Sequence, residues 1–163
     1  MVSRRFAGRL LVLDTNAFQI MKILILLLLL SFNVAASHIR TTDLVNICST
    51  HTSIYRNVPE SLKRKVYLRD GVVGGNHTGI CSGSEGCEVD HRVSLELGGS
   101  NDISNLMIQP YDGSCNAHDK DKLENRLHKL SCDKQISLLD AQKVIYNDWQ
   151  AAYKDYVNPQ GCN

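Results

Sequence analysis

Six cysteines, all placed after an apolar N-terminal segment, constrain the fold of this 163-residue chain more than any other feature. They are Cys48, Cys81, Cys87, Cys115, Cys132 and Cys162. An even number of cysteines in a small exported domain favours a framework of disulfides, whose pairing the count leaves open. A zinc site is the alternative, although no two of these cysteines have the C-x2-C spacing of zinc fingers and ribbons.

One of the disulfides is predicted to be local and the others to span the domain. Cys81 and Cys87 bracket a Gly- and Ser-rich loop, so a bridge between them would close a small ring at little strain. The remaining four cysteines must then tie the ends of the chain to its middle. The predicted pairs are Cys48–Cys132 and Cys115–Cys162.

Residues 1–36 have the features of a secretory signal peptide. Met21-Lys22 precedes an unbroken apolar run from Ile23 to Leu30, and small residues precede a cleavage site near Ala36. The apolar run is shorter than the ~20 residues that a transmembrane helix needs. We therefore expect a secreted or periplasmic protein that has no membrane span after cleavage. An uncleaved anchor is the alternative, and Met21 is a possible true start.

The mature chain is predicted to be a single domain at residues 58–163, preceded by an irregular arm at 37–57. Removal of the leader leaves 14 basic residues against 16 acidic ones, a formal net charge of −2. Net charge therefore gives no support for nucleic-acid binding, and any such surface must be local. The most basic stretch follows Pro59 in a predicted helix that ends at Gly71. Its cations, which either face solvent or contact phosphate, are Lys63, Arg64, Lys65 and Arg69.

The rest of the domain is predicted to be a β-hairpin followed by two helices, an α+β arrangement. Strands at 88–93 and 106–108 are separated by Gly98-Gly99-Ser100-Asn101-Asp102, which indicates a long ordered loop. Asn116 is suited to cap the first helix. The residues predicted to be buried are Leu123, Leu127 and Leu130 in the first helix, and Leu138, Ala141, Ile145, Trp149, Ala152 and Tyr156 in the second.

The candidate chemistry centres on the adjacent pair Asp90-His91. An imidazole titrates near neutral pH, so His91 can take a proton from water, and the Asp90 carboxylate is a natural ligand for a hard divalent cation. Asn105 offers an amide that could hold the imidazole. His118 stands in the first turn of a helix, where open backbone N–H groups favour an anion.

The order of these residues resembles the HNH endonucleases, whose ββα-metal motif joins a β-hairpin to a helix around one divalent ion. The likeness covers about residues 88–124. It implies that His91 is the general base, Asp90 a metal ligand and Asn105 the residue that orients the base. For the third position of the motif the match is ambiguous between His118 and Asn116, the latter with helix capping as its structural alternative.

Together with the predicted signal peptide and disulfides, the resemblance implies an exported, disulfide-stapled nuclease that uses one divalent metal ion, Mg, Mn, Zn or Ni. Its partner would be nucleic acid, with DNA favoured over RNA. Lys120, Lys122 and Arg126 are expected to bind the phosphate backbone. Two other functions are considered: a secreted binding module that keeps an HNH-like fold without catalysis, and a zinc-stabilised structural domain.

Overall fold

The described residues of the domain form one β-hairpin and four α-helices. The structure, a computed structural model, describes residues 38–72 and 86–162, and residues 36–163 form one compact unit. In the described part, the helices are α1 (Leu44–Ser49), α2 (Glu60–Arg69), α3 (Ala117–Cys132) and α4 (Leu138–Tyr156), and the strands are β1 (Cys87–His91) and β2 (Leu106–Pro110). The predicted α+β class is confirmed. The predicted signal segment lies outside the described residues.

The two strands form the predicted antiparallel hairpin, with His91 opposite Leu106. Strand β1 ends two residues earlier than the prediction because the backbone of Val93 pairs with a side chain and not with a strand. The Asn105 amide accepts a hydrogen bond from Val93 N (2.9 Å) and donates one to Val93 O (3.0 Å). The loop is therefore ordered, and it carries two 3-10 turns, at Leu95–Leu97 and Ile103–Asn105.

The Gly98-Gly99 pair is required by close packing in this loop. Gly98 has a left-handed backbone (φ 82°), and its carbonyl accepts a hydrogen bond from Arg40 N (2.7 Å). A Cβ atom on Gly99 would lie 1.8 Å from Val93 O, so no larger residue fits without movement of the backbone. The two glycines thus let the N-terminal arm pack against the hairpin loop.

The arm at 38–57, predicted to be irregular, is more ordered than expected. It contains α1 and a 3-10 turn at Thr52–Tyr55. The Asp43 side chain caps α1 by accepting hydrogen bonds from the N–H groups of Val45 and Asn46. Since Ile47 is the one buried residue of α1, a helix this short shows no periodic pattern in the sequence.

The main core lies between α3 and α4. Asn116 and Ser137 cap these helices through hydrogen bonds to Asp119 N and Asp140 N. The buried cluster also includes residues of the arm and the loop, and its members are Ile47, Val93, Leu97, Leu123, Leu127, Leu138, Ala141, Ile145, Ala152 and Tyr153. Trp149 and Tyr156 are half-buried against it, as the predicted stripe of α4 requires.

Disulfides join the arm to the end of α3 and the C-terminal tail to the segment just before α3. Cys48 is bonded to Cys132 and Cys115 to Cys162, the two long-range pairs that were predicted. Cys87 is also disulfide-bonded, and its predicted partner, Cys81, lies outside the described residues. Such bonds are typical of an oxidising, extracellular environment. Among the residues described, no helix has the length and apolar character to cross a membrane.

Candidate active site

An open, acid-lined pocket of about 450 Å³ lies where β1 meets α3. Five carboxylates line it, against the cations of Arg56 and Lys63. The pocket places the predicted base and metal ligand together, although neighbours along a strand usually point to opposite faces. Its full lining is Arg56, Val58, Lys63, Glu88, Val89, Asp90, His91, Ser94, Leu95, Glu96, Asp121, Glu124 and Asn125.

The imidazole of His91 is held in one orientation by Asn101. His91 Nε2 lies 2.8 Å from Asn101 Oδ1, and Asn101 Nδ2 donates to Tyr55 O (2.9 Å) and Asn57 Oδ1 (2.6 Å). Because the two donated bonds fix which end of the amide carries oxygen, Nε2 must be the protonated ring nitrogen. His91 Nδ1 then carries the lone pair, and it has no hydrogen-bond partner within residues 38–72 and 86–162.

Burial lowers the pKa of His91 below its usual value of 6.5. The hydrogen bond to Asn101 and the negative charge of Asp90 act in the opposite direction, and the charge of Lys120 acts with burial. The net result is a neutral ring at pH 7. A neutral imidazole with a free ring nitrogen is the form that a general base requires.

Behind the pocket, a completely buried lysine holds the carboxylates in place. Lys120 Nζ donates to Asp90 Oδ2 (2.6 Å), to His91 O (2.7 Å) and to the Glu124 carboxylate. These three bonds use all the donors of the ammonium group. Burial alone would lower the pKa of Lys120, but the charges of Glu124 and Asp90 outweigh burial and raise it.

One buried ammonium does not balance the acidic groups around it. Burial raises the pKa of Glu124, although the positive charge of Lys120 acts to lower it. The pKa of Glu88 is also raised, mainly by burial and to a lesser extent by the negative charge of Asp90. Tyr111 Oη donates a hydrogen bond to Glu88 Oε2 (3.0 Å), and burial first, then Glu88, raises the pKa of Tyr111 to about 12. The raised pKa values mean that Glu88 and Glu124 ionise less readily than exposed carboxylates, and additional positive charge in the pocket would favour their ionised form.

Two polar atoms in the pocket wall have no hydrogen-bond partner in the described structure. They are Ser94 Oγ and Glu96 Oε2, and both are buried. An orphaned polar atom at a pocket wall indicates a place for a water molecule or an ion. Together with the excess of carboxylate, these atoms suit a hard divalent cation.

The donor set fits an ion that keeps some of its water. Within the described ranges, the pocket brings no three His, Cys, Asp or Glu ligand atoms within 4.8 Å of one another. A closed protein cage is therefore absent from this part of the chain. Mg²⁺ does not need one, because it commonly binds one or two carboxylates and completes its shell with water and substrate phosphate.

Asn105 makes no described hydrogen bond to the imidazole that it was expected to orient. Its side chain bonds to Val93 and donates to Ser100 O (2.9 Å), while its backbone oxygen accepts from Arg92 N (2.6 Å). Asn105 is 0% exposed and fixes the loop on which Asn101 stands. The residue hydrogen-bonded to the ring is Asn101, which was not predicted as a site residue.

The two candidates for the third position of the motif both lie outside the pocket lining. Asn116 acts as the helix cap, its structural alternative: its Oδ1 accepts from Asp119 N (3.2 Å). His118 is exposed and stacks on Tyr111, with the ring centroids 5.6 Å apart. The α3 side chains that line the pocket with Asp90 and His91 are Asp121, Glu124 and Asn125.

The cations expected to bind phosphate are placed differently from the prediction. Lys120 is buried, so it cannot steer a substrate. Lys122 pairs with Asp119 (2.9 Å), and Arg126 Nε donates to Tyr156 O (3.4 Å); neither lines the pocket. In α2, Arg69 is a structural clamp that donates to the backbone oxygens of the hairpin loop, whereas Lys63 lines the pocket.

Comparisons of the chain with protein-family models, curated proteins and solved structures found no match. Inference of function therefore rests on the chemistry of the pocket.

Proposed function

We propose that the chain is an exported, metal-dependent endonuclease of HNH type that hydrolyses phosphodiester bonds. The observation that carries the proposal is His91, whose ring is held through Nε2 while Nδ1 is free in an acid-lined pocket. The resemblance of residues 88–124 to the HNH motif supports the same chemistry. The disulfides support export, because they persist in oxidising surroundings.

Each residue of the pocket has a distinct part in the proposed reaction. His91 Nδ1 accepts the proton of the attacking water, and Asn101 keeps the ring aligned during that transfer. Lys120 fixes the carboxylates of Asp90 and Glu124, which would hold the divalent ion. When bound, the ion would supply charge stabilisation at the phosphoryl group.

Substrate binding is proposed to depend on phosphate and not on base sequence. Arg56 and Lys63 stand at the pocket wall and are the cations placed to contact a phosphate. The carboxylates would repel a phosphodiester in the absence of the ion, so ion and substrate should bind together. DNA is the favoured substrate, and RNA is the alternative that the assay includes.

The test is digestion of supercoiled plasmid and of RNA with Mg²⁺, Mn²⁺, Zn²⁺ and Ni²⁺, and with a chelator. We expect metal-dependent cleavage that His91→Ala reduces by about 10²-fold or more, the scale of a lost general base. His118→Ala is the matched control, because His118 is an exposed histidine outside the pocket lining. Its activity should stay close to that of the wild type.

The outcomes separate catalysis from binding alone. A folded wild type that retards DNA without cleaving it in any metal would identify the binding module instead. Equal loss of activity in His91→Ala and His118→Ala would remove His91 from the role of base.

A further inference from the structure

A second cluster of potential ligands lies at the other end of α3, away from the pocket. The sulfurs of Cys48 and Cys132 and a ring nitrogen of His128 all lie within 4.8 Å of one another. Cys132 Sγ is 3.6 Å from His128 Nε2. None of the three residues lines the acidic pocket.

The local structure brings these groups together for a simple reason. His128 and Cys132 are four residues apart in α3, so they occupy the same helix face one turn apart. Cys48 is at the C-terminal end of α1, and the contact of α1 with α3 is reinforced by His128 Nε2, which is 3.3 Å from Ile47 O. Two thiolates and one imidazole are ligands that Zn²⁺ prefers.

We propose that reduction of the Cys48–Cys132 disulfide creates a site for Zn²⁺, or a similar borderline-soft ion, with His128 as the third protein ligand. While the disulfide is intact the site cannot form, because thiolates, and not the sulfurs of a disulfide, bind the metal. Three protein ligands leave the fourth tetrahedral position for water.

The chemical steps balance with a dithiol as the reductant. A thiolate of the dithiol attacks one sulfur of the bridge, and the second thiol releases the mixed disulfide. Two electrons and the two thiol protons of the dithiol pass to Cys48 and Cys132, and the dithiol becomes a cyclic disulfide. The incoming Zn²⁺ then displaces both thiol protons.

The two described disulfides differ in how easily they can enter this reaction. Cys48 is an exposed residue, whereas Cys162 is partly buried and packs against the main core, so we expect a reductant to attack the Cys48–Cys132 bridge more readily. The sulfurs must move apart to admit an ion, and α1, with Ile47 as its one buried residue, is the element that can shift. In reducing surroundings the ion would replace the disulfide as the link between α1 and α3.

The experiment titrates Zn²⁺ into the full chain before and after reduction with a phosphine, against a chromophoric chelator. Reduced wild type should bind Zn²⁺ tightly, while the oxidised protein should not. His128→Ala should weaken binding by at least the roughly 10- to 100-fold that even an outer-shell partner contributes. His51→Ala, at an exposed histidine outside the cluster, is the control and should bind as the wild type does.

Two double variants test which cysteine sulfurs bind the metal. Cys48→Ser with Cys132→Ser should abolish tight binding, whereas Cys115→Ser with Cys162→Ser should retain it. Co²⁺ in place of Zn²⁺ should give thiolate-to-metal absorption that both sulfur and His128 variants alter. The fold of His128→Ala is checked by circular dichroism while its disulfides are intact.

Two results would overturn the proposal. One is equal Zn²⁺ affinity in reduced wild type and reduced His128→Ala, and the other is equal affinity in the oxidised and reduced protein. If reduction melts the helices, Zn²⁺ should restore them in wild type and not in His128→Ala. Failure of Zn²⁺ to restore them in wild type would also refute it.

Discussion

The two halves of α3 bury very different side chains. The N-terminal half buries a charge, Lys120, which contacts Asp90 and Glu124 beside the hairpin. The C-terminal half buries Leu127 and Leu130, with Leu127 packed in the cluster that includes α4. An apolar contact tolerates small displacements, but a buried ammonium with three defined acceptors does not. Polar contacts therefore fix the position of the N-terminal half of α3, whereas apolar packing holds its C-terminal half. The candidate site lies beside the N-terminal half.

The largest expected effect is loss of the buried cation. Lys120→Met should lower the free energy of unfolding by about 3–5 kcal/mol, because it leaves the partly buried carboxylates of Asp90 and Glu124 without their cationic partner. Leu127→Ala in the other half should lower it by about 2–5 kcal/mol through a cavity. Urea unfolding, with and without Mg²⁺, measures both.

The expected losses of unfolding free energy in Lys120→Met and Leu127→Ala overlap, so the response to Mg²⁺ is needed to distinguish the two halves of α3. The ion should recover part of the Lys120→Met loss, because it can neutralise the same carboxylates, and it should leave Leu127→Ala unchanged. Equal recovery in both variants would remove the contrast between the ends of α3.

A smaller effect is expected from removal of the hydrogen bond between Asn101 and the proposed base, His91. Asn101→Ala should lower kcat/KM for plasmid cleavage by up to about tenfold, since one neutral hydrogen bond contributes about 0.5–1.5 kcal/mol. KM should change little, because Asn101 is absent from the pocket lining. Asn147→Ala, at an exposed asparagine of α4, is the control. Unchanged kcat in Asn101→Ala would mean that the ring is held by other contacts.

Helices α3 and α4 and the β-hairpin could be predicted because the sequence patterns that indicate them are local. Asn116 and Ser137 are good capping residues, and the leucines of α3 recur at helical spacing. The short helix α1 could not be predicted in this way, since its stability comes from Asp43 and from a disulfide to a distant residue.

The site could be predicted only in part. Asp90 and His91 are adjacent in the sequence, so their chemistry stands out. Lys120 was expected to bind the phosphate backbone, and most lysines are exposed. Its position three residues before Leu123 and seven before Leu127 places it on the buried stripe, a signal that was overlooked. Asn101 had no such signal, because its partners Tyr55 and Asn57 are 46 and 44 residues away.

The smallest expected effect concerns Asn116, the residue that competed with His118 for the third position of the motif. Asn116→Ala should cost about 1 kcal/mol of unfolding free energy, the usual value for a lost helix cap. Ser137→Ala, at the corresponding position of α4, should cost a similar amount and provides the comparison. The metal concentration for half-maximal cleavage should not move in either variant. A shift in Asn116→Ala alone would return Asn116 to the candidate ligands.

The most direct test of the site at the N-terminal end of α3 is the dependence of cleavage on Mg²⁺ and Mn²⁺ in two carboxylate variants of that helix. Glu124 lines the pocket and touches Lys120, whereas Asp119 pairs with Lys122 outside the pocket lining. We predict that Glu124→Gln raises the ion concentration for half-maximal cleavage and that Asp119→Asn leaves it unchanged. Equal shifts in the two variants, or cleavage that does not depend on a divalent ion, would contradict a metal-assisted site in this pocket.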